Sequence, residues 1–268
     1  GGVGGGAAIS MARMGVGAFT LADPGIFDEP DINRQWAASN QSLGRNKSAV
    51  YEELLKAINP FVDIRTFPDG VQEYNIEKFL DGVDLLVDCL DVAVPTATRV
   101  RLARAASARG IHIITAPVIG FGALIVASSP DGMPMEVIFS QMVEDAAESS
   151  KLPPGFWSVF HPDQLKATEK MLGQHKVPSI SISVVLATAL VCTEGAIVLL
   201  GPTFAGWRPP ICLPYVLVVN PLSLTWRAIH ILEIAGLMAP AGAGEKAPAV
   251  AAAPPRPDEG VPGRARRL

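Results

Sequence analysis

The feature that most limits the fold of this chain is the alternation, between residues 7 and 115, of short apolar runs with stretches of helical period. Residues 7–14 carry small and apolar side chains at helical spacing and stop at Gly15-Val16-Gly17. The run 19–22 ends at Asp23, as a strand buried on both faces would. Helical period returns at 47–58 until Asn59-Pro60, 62–67 alternate like a strand, and 74–80 suit a short helix. Asp-Leu-Leu-Val-Asp-Cys at 84–89 reads as a buried strand, 98–109 as a helix with basic residues on one face, and 111–115 as the next strand. Strands separated by helices predict a Rossmann-like α/β fold, a mostly parallel sheet with helices on both faces. Runs at 123–127 and 135–139 flank Pro130-Asp131-Gly132, a turn sequence suited to a hairpin, so the sheet is expected to continue into antiparallel strands. One more strand is expected at 213–220.

The 268 residues suffice for one large domain, expected over 1–238. Residues 140–178, without clear period, read as a crossover or lid loop, and 239–268, rich in Ala, Pro, Gly and Arg, as a disordered tail. The apolar run 180–201 contains Ser181, Ser183, Thr188, Thr193 and Glu194, which fits a core helix better than a membrane span. Acidic and basic residues are interspersed, with a net charge of -4, so no footprint for nucleic acid is present. Three scattered cysteines, Cys89, Cys192 and Cys212, and an opening without a secretion signal point to a reducing, cytoplasmic setting. The four histidines, His112, His161, His175 and His230, are equally dispersed, and no zinc site is expected.

A glycine-rich turn before a helix lets backbone N–H groups approach phosphate oxygens, where the helix terminus adds partial positive charge. Gly1, Gly2 and Gly4 fit that use, although a purely structural turn has the same pattern. Asp23 at a strand end suits the hydroxyls of a ribose, or simply caps the loop after it. Nicotinamide enzymes share both features. Three further segments separate the readings: Asp31-Ile32-Asn33-Arg34-Gln35, Gly44-Arg45-Asn46-Lys47 and Asp88-Cys89-Leu90-Asp91. The P-loop signature GxxxxGK[ST] is absent.

In this order, the glycine-rich start, the strand ending in Asp, the Arg-Gln pair, the Gly-x-x-Lys helix start and the D-C-x-D strand end resemble the ThiF/MoeB/HesA family of ubiquitin-activating-enzyme-like adenylyltransferases. The resemblance covers about residues 1–140, with an echo at 193–201. It implies ATP-dependent activation of a carboxylate as an acyl-adenylate, with release of pyrophosphate. Arg34 would grip phosphate oxygens, Lys47 would meet the phosphates from its helix start, Asp91 would hold Mg2+, and Asp23 would take the ribose. Gly1, Gly2, Gly4 and Asp31 would border the nucleotide. Such a set suits the chemistry, because carboxylate attack on the α-phosphorus brings anion to anion and needs screening. The implied partners are a carboxylate-bearing carrier protein or peptide, or a modified nucleoside precursor, and a second copy in a homodimer.

Several positions depart from the family pattern. Its first glycine and first strand would precede Gly1; it usually has Asn at the place of Asp31, often a second acid at Gly25, and frequently Asn at Val92. Its following Arg is displaced to Arg99. Members that form a thioester carry a Cys near the crossover, but 140–178 has none, and Cys89 and Cys192 read as packed small hydrophobes. Two other classes remain open: a nicotinamide-dependent oxidoreductase, which leaves Arg34, Lys47 and Asp91 unexplained, and a catalytically degenerate partner subunit.

Overall fold

The structure is a computed structural model that describes residues 1–90, 94–138, 160, 162–172, 179–203 and 205–235. The expected tail at 239–268 and most of the expected lid at 140–178 lie outside these residues.

The first half follows the predicted rhythm. Helix α1 (Gly2–Arg13) leads to β1 (Ala18–Ala22), and α2 (Lys47–Ile58) leads to β2 (Asp63–Phe67). The strands pair in parallel, from Ala18 opposite Asp63 to Ala22 opposite Phe67. Short helix α3 (Ile76–Phe79) precedes β3 (Leu85–Asp88), and α4 (Thr96–Ser107) joins it to a second parallel partner, β4 (His112–Thr115). The expected helix at 7–14 begins earlier, so the glycines are not a loop: Gly2 to Gly6 form its first turns. Their role there is close approach. A Cβ on Gly5 would fall on the Tyr51 ring, and one on Gly6 would lie 2.6 Å from Thr188 Oγ1.

Beyond β4 the sheet becomes antiparallel through β5 (Val118–Ile119), β6 (Gly122–Ser128), β7 (Tyr215–Asn220) and β8 (Thr225–His230), in the order β3-β4-β6-β7-β8, with β5 also on β6. The expected hairpin across Pro130-Asp131-Gly132 does not form. The chain turns there, but 136–138 are a helical turn, α5 (Glu136–Ile138). All seven residues of β6 are buried and its edges already pair with β4 and with β5 and β7, leaving none for a strand at 135–139. The last strand and the turn after it, α8 (Ile231–Ile234), follow α6 (Pro162–Leu172) and α7 (Ser181–Leu200) in the chain.

Adjacent residues of the sheet serve opposite apolar layers, which a strand covered on both faces requires. Ile113, Leu124 and Val126 pack with Leu102 and Ala106 of α4 and Leu165 of α6. Ile114, Ile125 and Ala127 pack with Met11 of α1 and Val191 of α7. A third layer joins Ala8 and Ile9 of α1 to Val50, Tyr51 and Leu55 of α2. Helix α7 is long and apolar enough to cross a bilayer, but half of that span is buried against the protein, as a core helix would be.

Among the described residues β1 and β3 each lack a partner on one side, so the sheet is split in two. The start of α1 sits between their carboxyl ends: Gly1 N is 2.8 Å from Asp23 Oδ2, and a Cβ on Gly4 would meet Cys89 Cβ at 3.1 Å.

Candidate nucleotide site

Two loops deliver the charged residues to the start of α1. After β1, Asp23 Oδ1 accepts from Gly25 N at 2.9 Å, closing a tight turn. Asn46 caps α2 by accepting from Ala49 N at 3.1 Å, while its Nδ2 donates to the Asp23 and Gly25 carbonyls at 3.3 and 3.4 Å. Lys47 N donates to Gly25 O at 2.9 Å. The start of α2 is thereby laced to the end of β1, and the Lys47 stem runs past Gly25. A Cβ at Gly25 would lie 3.0 Å from Asp23 Oδ1 and 3.3 Å from Lys47 Cε, so a second acid fits there only if both shift.

The second loop contains a 3-10 turn, Glu29–Asn33, with Asp28 and Asp31 forming a reciprocal cap at its start. Asp31 is buried, and four donors meet its carboxylate. Lys47 Nζ lies 3.0 Å from Oδ2, Gln35 Nε2 donates to Oδ1 at 2.5 Å, Asp28 N donates to Oδ2 at 3.2 Å, and Arg34 Nη2 lies 3.4 Å from Oδ1. Arg34 also donates to Pro30 O at 2.8 Å and to Asn33 Oδ1 at 3.0 Å. The sequence marks Asp31 as a departure from the family's usual Asn beside the nucleotide; the structure makes it the anion on which both predicted cations converge.

Gln35 is held in one orientation by this arrangement. A carboxylate accepts only, so the amide nitrogen must face Asp31, and Oε1 is left buried next to Gly1 without a partner among the described residues. Tyr51 ties the helices together, donating to Gly1 O at 3.2 Å and accepting from Ala37 N at 3.4 Å. Burial pushes its phenol up to about 12, against the Ala37 hydrogen bond.

At the end of β3, Asp88 is buried and its Oδ1 accepts from Leu90 N at 2.9 Å. Arg99, buried in α4, lies 3.7 Å from that oxygen and donates to Leu90 O. Burial raises the Asp88 carboxyl, and the Arg99 charge opposes the rise. The displaced arginine therefore clamps the strand end. Asp91, the expected Mg2+ ligand, lies just outside the described residues.

Of the predicted site residues, Gly1, Asp23, Asp31, Arg34 and Lys47 form one contiguous cluster, with Gly2 and Gly4 in the first turn of α1. A groove of about 370 Å3 opens beside it between Gly2, Arg34, Gln35 and Trp36 on one wall and Val184 and Thr188 of α7 on the other. A wider hollow of about 600 Å3 at the end of β2, near Arg65, Phe67, Tyr74 and Lys78, holds none of the predicted residues. Among the described residues no three metal-binding side chains meet. Cys192 is buried, its Sγ 3.8 Å from Ala7 O, and burial raises its thiol, which suits a packed small hydrophobe. Cys89 is exposed, against Gly4, so its expected burial is corrected: it follows the strand end rather than lying within it. Sequence reasoning gave Asn46, Tyr51 and Gln35 no role; the Asn before a helix start was a legible capping signal, whereas the other two depend on long-range contact.

Known proteins resemble the chain in sequence and in fold. Protein HesA of Nostoc sp. is 34% identical over 89 residues, 33% of this chain and 35% of the relative. The sulfur carrier protein ThiS adenylyltransferase of Escherichia coli is 28% identical over 130 residues, 48% of this chain and 51% of the relative. These matches span a third to a half of the relatives' length. The crystal structure of E. coli MccB with MccA-N7isoAsn superposes with a TM-score of 0.62 at 14% identity, covering 86% of this chain and 62% of that one, a likeness of fold. The ThiF family model matches residues 1–233, and the chain belongs to the ThiF family.

Proposed function

We propose that this chain carries the ATP site of an adenylyltransferase that activates the terminal carboxylate of a small carrier protein or peptide. One observation carries the reading: Arg34 and Lys47, from separate loops, meet on a single anion position beside the start of α1. Backbone N–H groups of the first turn, with the partial positive charge of the helix end, complete a cradle for phosphate. Asp23, at the end of β1, would accept hydrogen bonds from ribose hydroxyls. Arg34 and Lys47 screen the approach of the carboxylate to the α-phosphorus, and pyrophosphate leaves from their side. Asp91 would hold Mg2+, which spreads charge over the leaving group. The reading includes a homodimer in the cytoplasm, no catalytic thiol and no nucleic acid or membrane partner.

Pyrophosphate exchange into ATP, dependent on an added carboxyl substrate, tests it. Arg34→Ala and Lys47→Ala are each expected to lower exchange by about a hundredfold, the scale of losing one preorganised charge contact. No ATP binding at millimolar concentration would end the proposal, and NADH binding without competition by ATP would replace it with the oxidoreductase reading. The engagement of Lys47 by Asp31 favours a second version, in which the site binds nucleotide but a partner subunit completes catalysis. Nucleotide binding without exchange under any carboxylate supports that version.

A further inference from the structure

Asp31 does more than tie a loop. Two cations and two neutral donors share its carboxylate, in a position mostly closed to water. Without an anion between them, the Arg34 and Lys47 charges would lie close together and partly desolvated, an arrangement that lowers stability or drives one side chain out to solvent. The carboxylate supplies the negative charge when no ligand does.

The two cations are not held alike. Arg34 is bound to the Pro30 carbonyl and Asn33 as well as to Asp31, which fixes it to the 3-10 turn. Among the described residues the Lys47 ammonium has one ion-pair partner, Asp31, at 3.0 Å, with the Phe27 ring 5.7 Å away, at the end of a flexible stem. Should Lys47 leave, Asp31 keeps Gln35, the Asp28 N–H and Arg34, so its carboxylate is not orphaned. Lys47 is therefore the mobile member and Asp31 the fixed one.

We propose that Asp31 is an internal stand-in for phosphate: it holds Lys47 by an ion pair, releases it to the incoming polyphosphate, and by its own charge sets how tightly that polyphosphate binds. This rests on the nucleotide site proposed above and adds an affinity-determining residue to it. The sign of the effect distinguishes the stand-in from a structural anchor. Asp31 competes with the ligand for Lys47 and repels it, and the repulsion grows with ligand charge. Neutralising Asp31 while keeping its shape then strengthens binding of triphosphates more than of monophosphates. A simple anchor, when removed, lets Arg34 and Lys47 drift and weakens binding.

The test is calorimetric titration of the full chain, and of Asp31→Asn and Asp31→Ser, with inorganic tripolyphosphate, ATP and AMP. Expected are a gain of about tenfold for tripolyphosphate and ATP in both variants, about 1.4 kcal/mol, and less than about a threefold change for AMP. Unchanged or weaker tripolyphosphate binding in folded variants overturns the proposal, as does failure of all three proteins to bind it. If the charge-dependent gain appears but no protein catalyses exchange, adenylation is lost and the stand-in survives. An exchange-competent protein whose Asp31→Asn variant binds no tighter shows the converse. Should neither variant fold, the structure of the unaltered protein with ATP decides. Lys47 Nζ moved beyond hydrogen-bonding reach of Asp31 supports the proposal, and a retained 3.0 Å contact overturns it.

Discussion

A side-chain carbon on Gly5 has nowhere to go, since it would fall on the Tyr51 ring, whereas one on Gly17 meets nothing within 4 Å. Helix propensity alone favours Ala at position 5 by about 1 kcal/mol, and overpacking costs about 1–3 kcal/mol, so the clash prevails. Gly5→Ala is expected to lower the thermal midpoint by several degrees, and Gly17→Ala to leave it unchanged or slightly raised, as read by calorimetry. The composition of 1–6 showed a glycine cluster but not this reason for it. Which glycines must stay small depends on where Tyr51 and Thr188 arrive, and both come from distant parts of the chain. Tyr51 gives a second prediction. The phenol ionises near pH 10 in an unfolded chain and at about 12 in this fold, so its contribution to stability is complete below pH 10 and lost as pH rises through 12. Absorbance titration of the protein against Tyr51→Phe should show this one phenol ionising last, and ionisation near pH 10 would contradict its burial.

Helix α7 shows how an element is legible in outline and opaque in detail. Its apolar run predicted a core helix at 180–201, and Ser181–Leu200 is the result. The single carboxylate within it, Glu194, is almost fully buried, and Arg208, fourteen positions on, donates to it from both Nη1 and Nη2 while Ile211 N donates to it at 3.0 Å. The helix is thus stapled to the loop that leads into β7. Removing only the cation leaves a buried charge with one remaining donor, so Arg208→Ala is expected to cost about 3 kcal/mol, and Glu194→Gln, which removes the buried charge itself, less. Urea unfolding midpoints compare the two; a larger loss in Glu194→Gln would contradict the assignment. The final strand escaped the sequence for a different reason. Thr225–His230 mixes Thr, Trp, Arg and His because it lies at the sheet edge, where one face is wet, and no buried run marks it.

Across the whole molecule, stability is expected to be uneven. None of the residues of β1 or β2 is buried and, among the described residues, their sheet has two strands, while every residue of β6 is buried between paired neighbours. Amides of β1 and β2 should exchange with solvent at least about tenfold faster than those of β6 and β7 in native-state hydrogen exchange, and equal protection would mean that the split edge is covered. The parallel half of the fold was readable because short apolar runs and capped helices leave local signatures, from the run before Asp23 to Asn46 ahead of Lys47, although β1 is only partly buried where the sequence read a strand buried on both faces. The candidate site was readable as a set of residue types in order: Asp23, Asp31, Arg34, Lys47. What tertiary structure alone decided was who pairs with whom. The antiparallel neighbours of β6, the loss of the hairpin at 130–132 and the meeting of Arg34 with Lys47 on Asp31 depend on which edges and charges are already taken. Backbone periodicity and side-chain chemistry are local and survive in sequence, but competition for a sheet edge or a single carboxylate is settled only when distant segments meet.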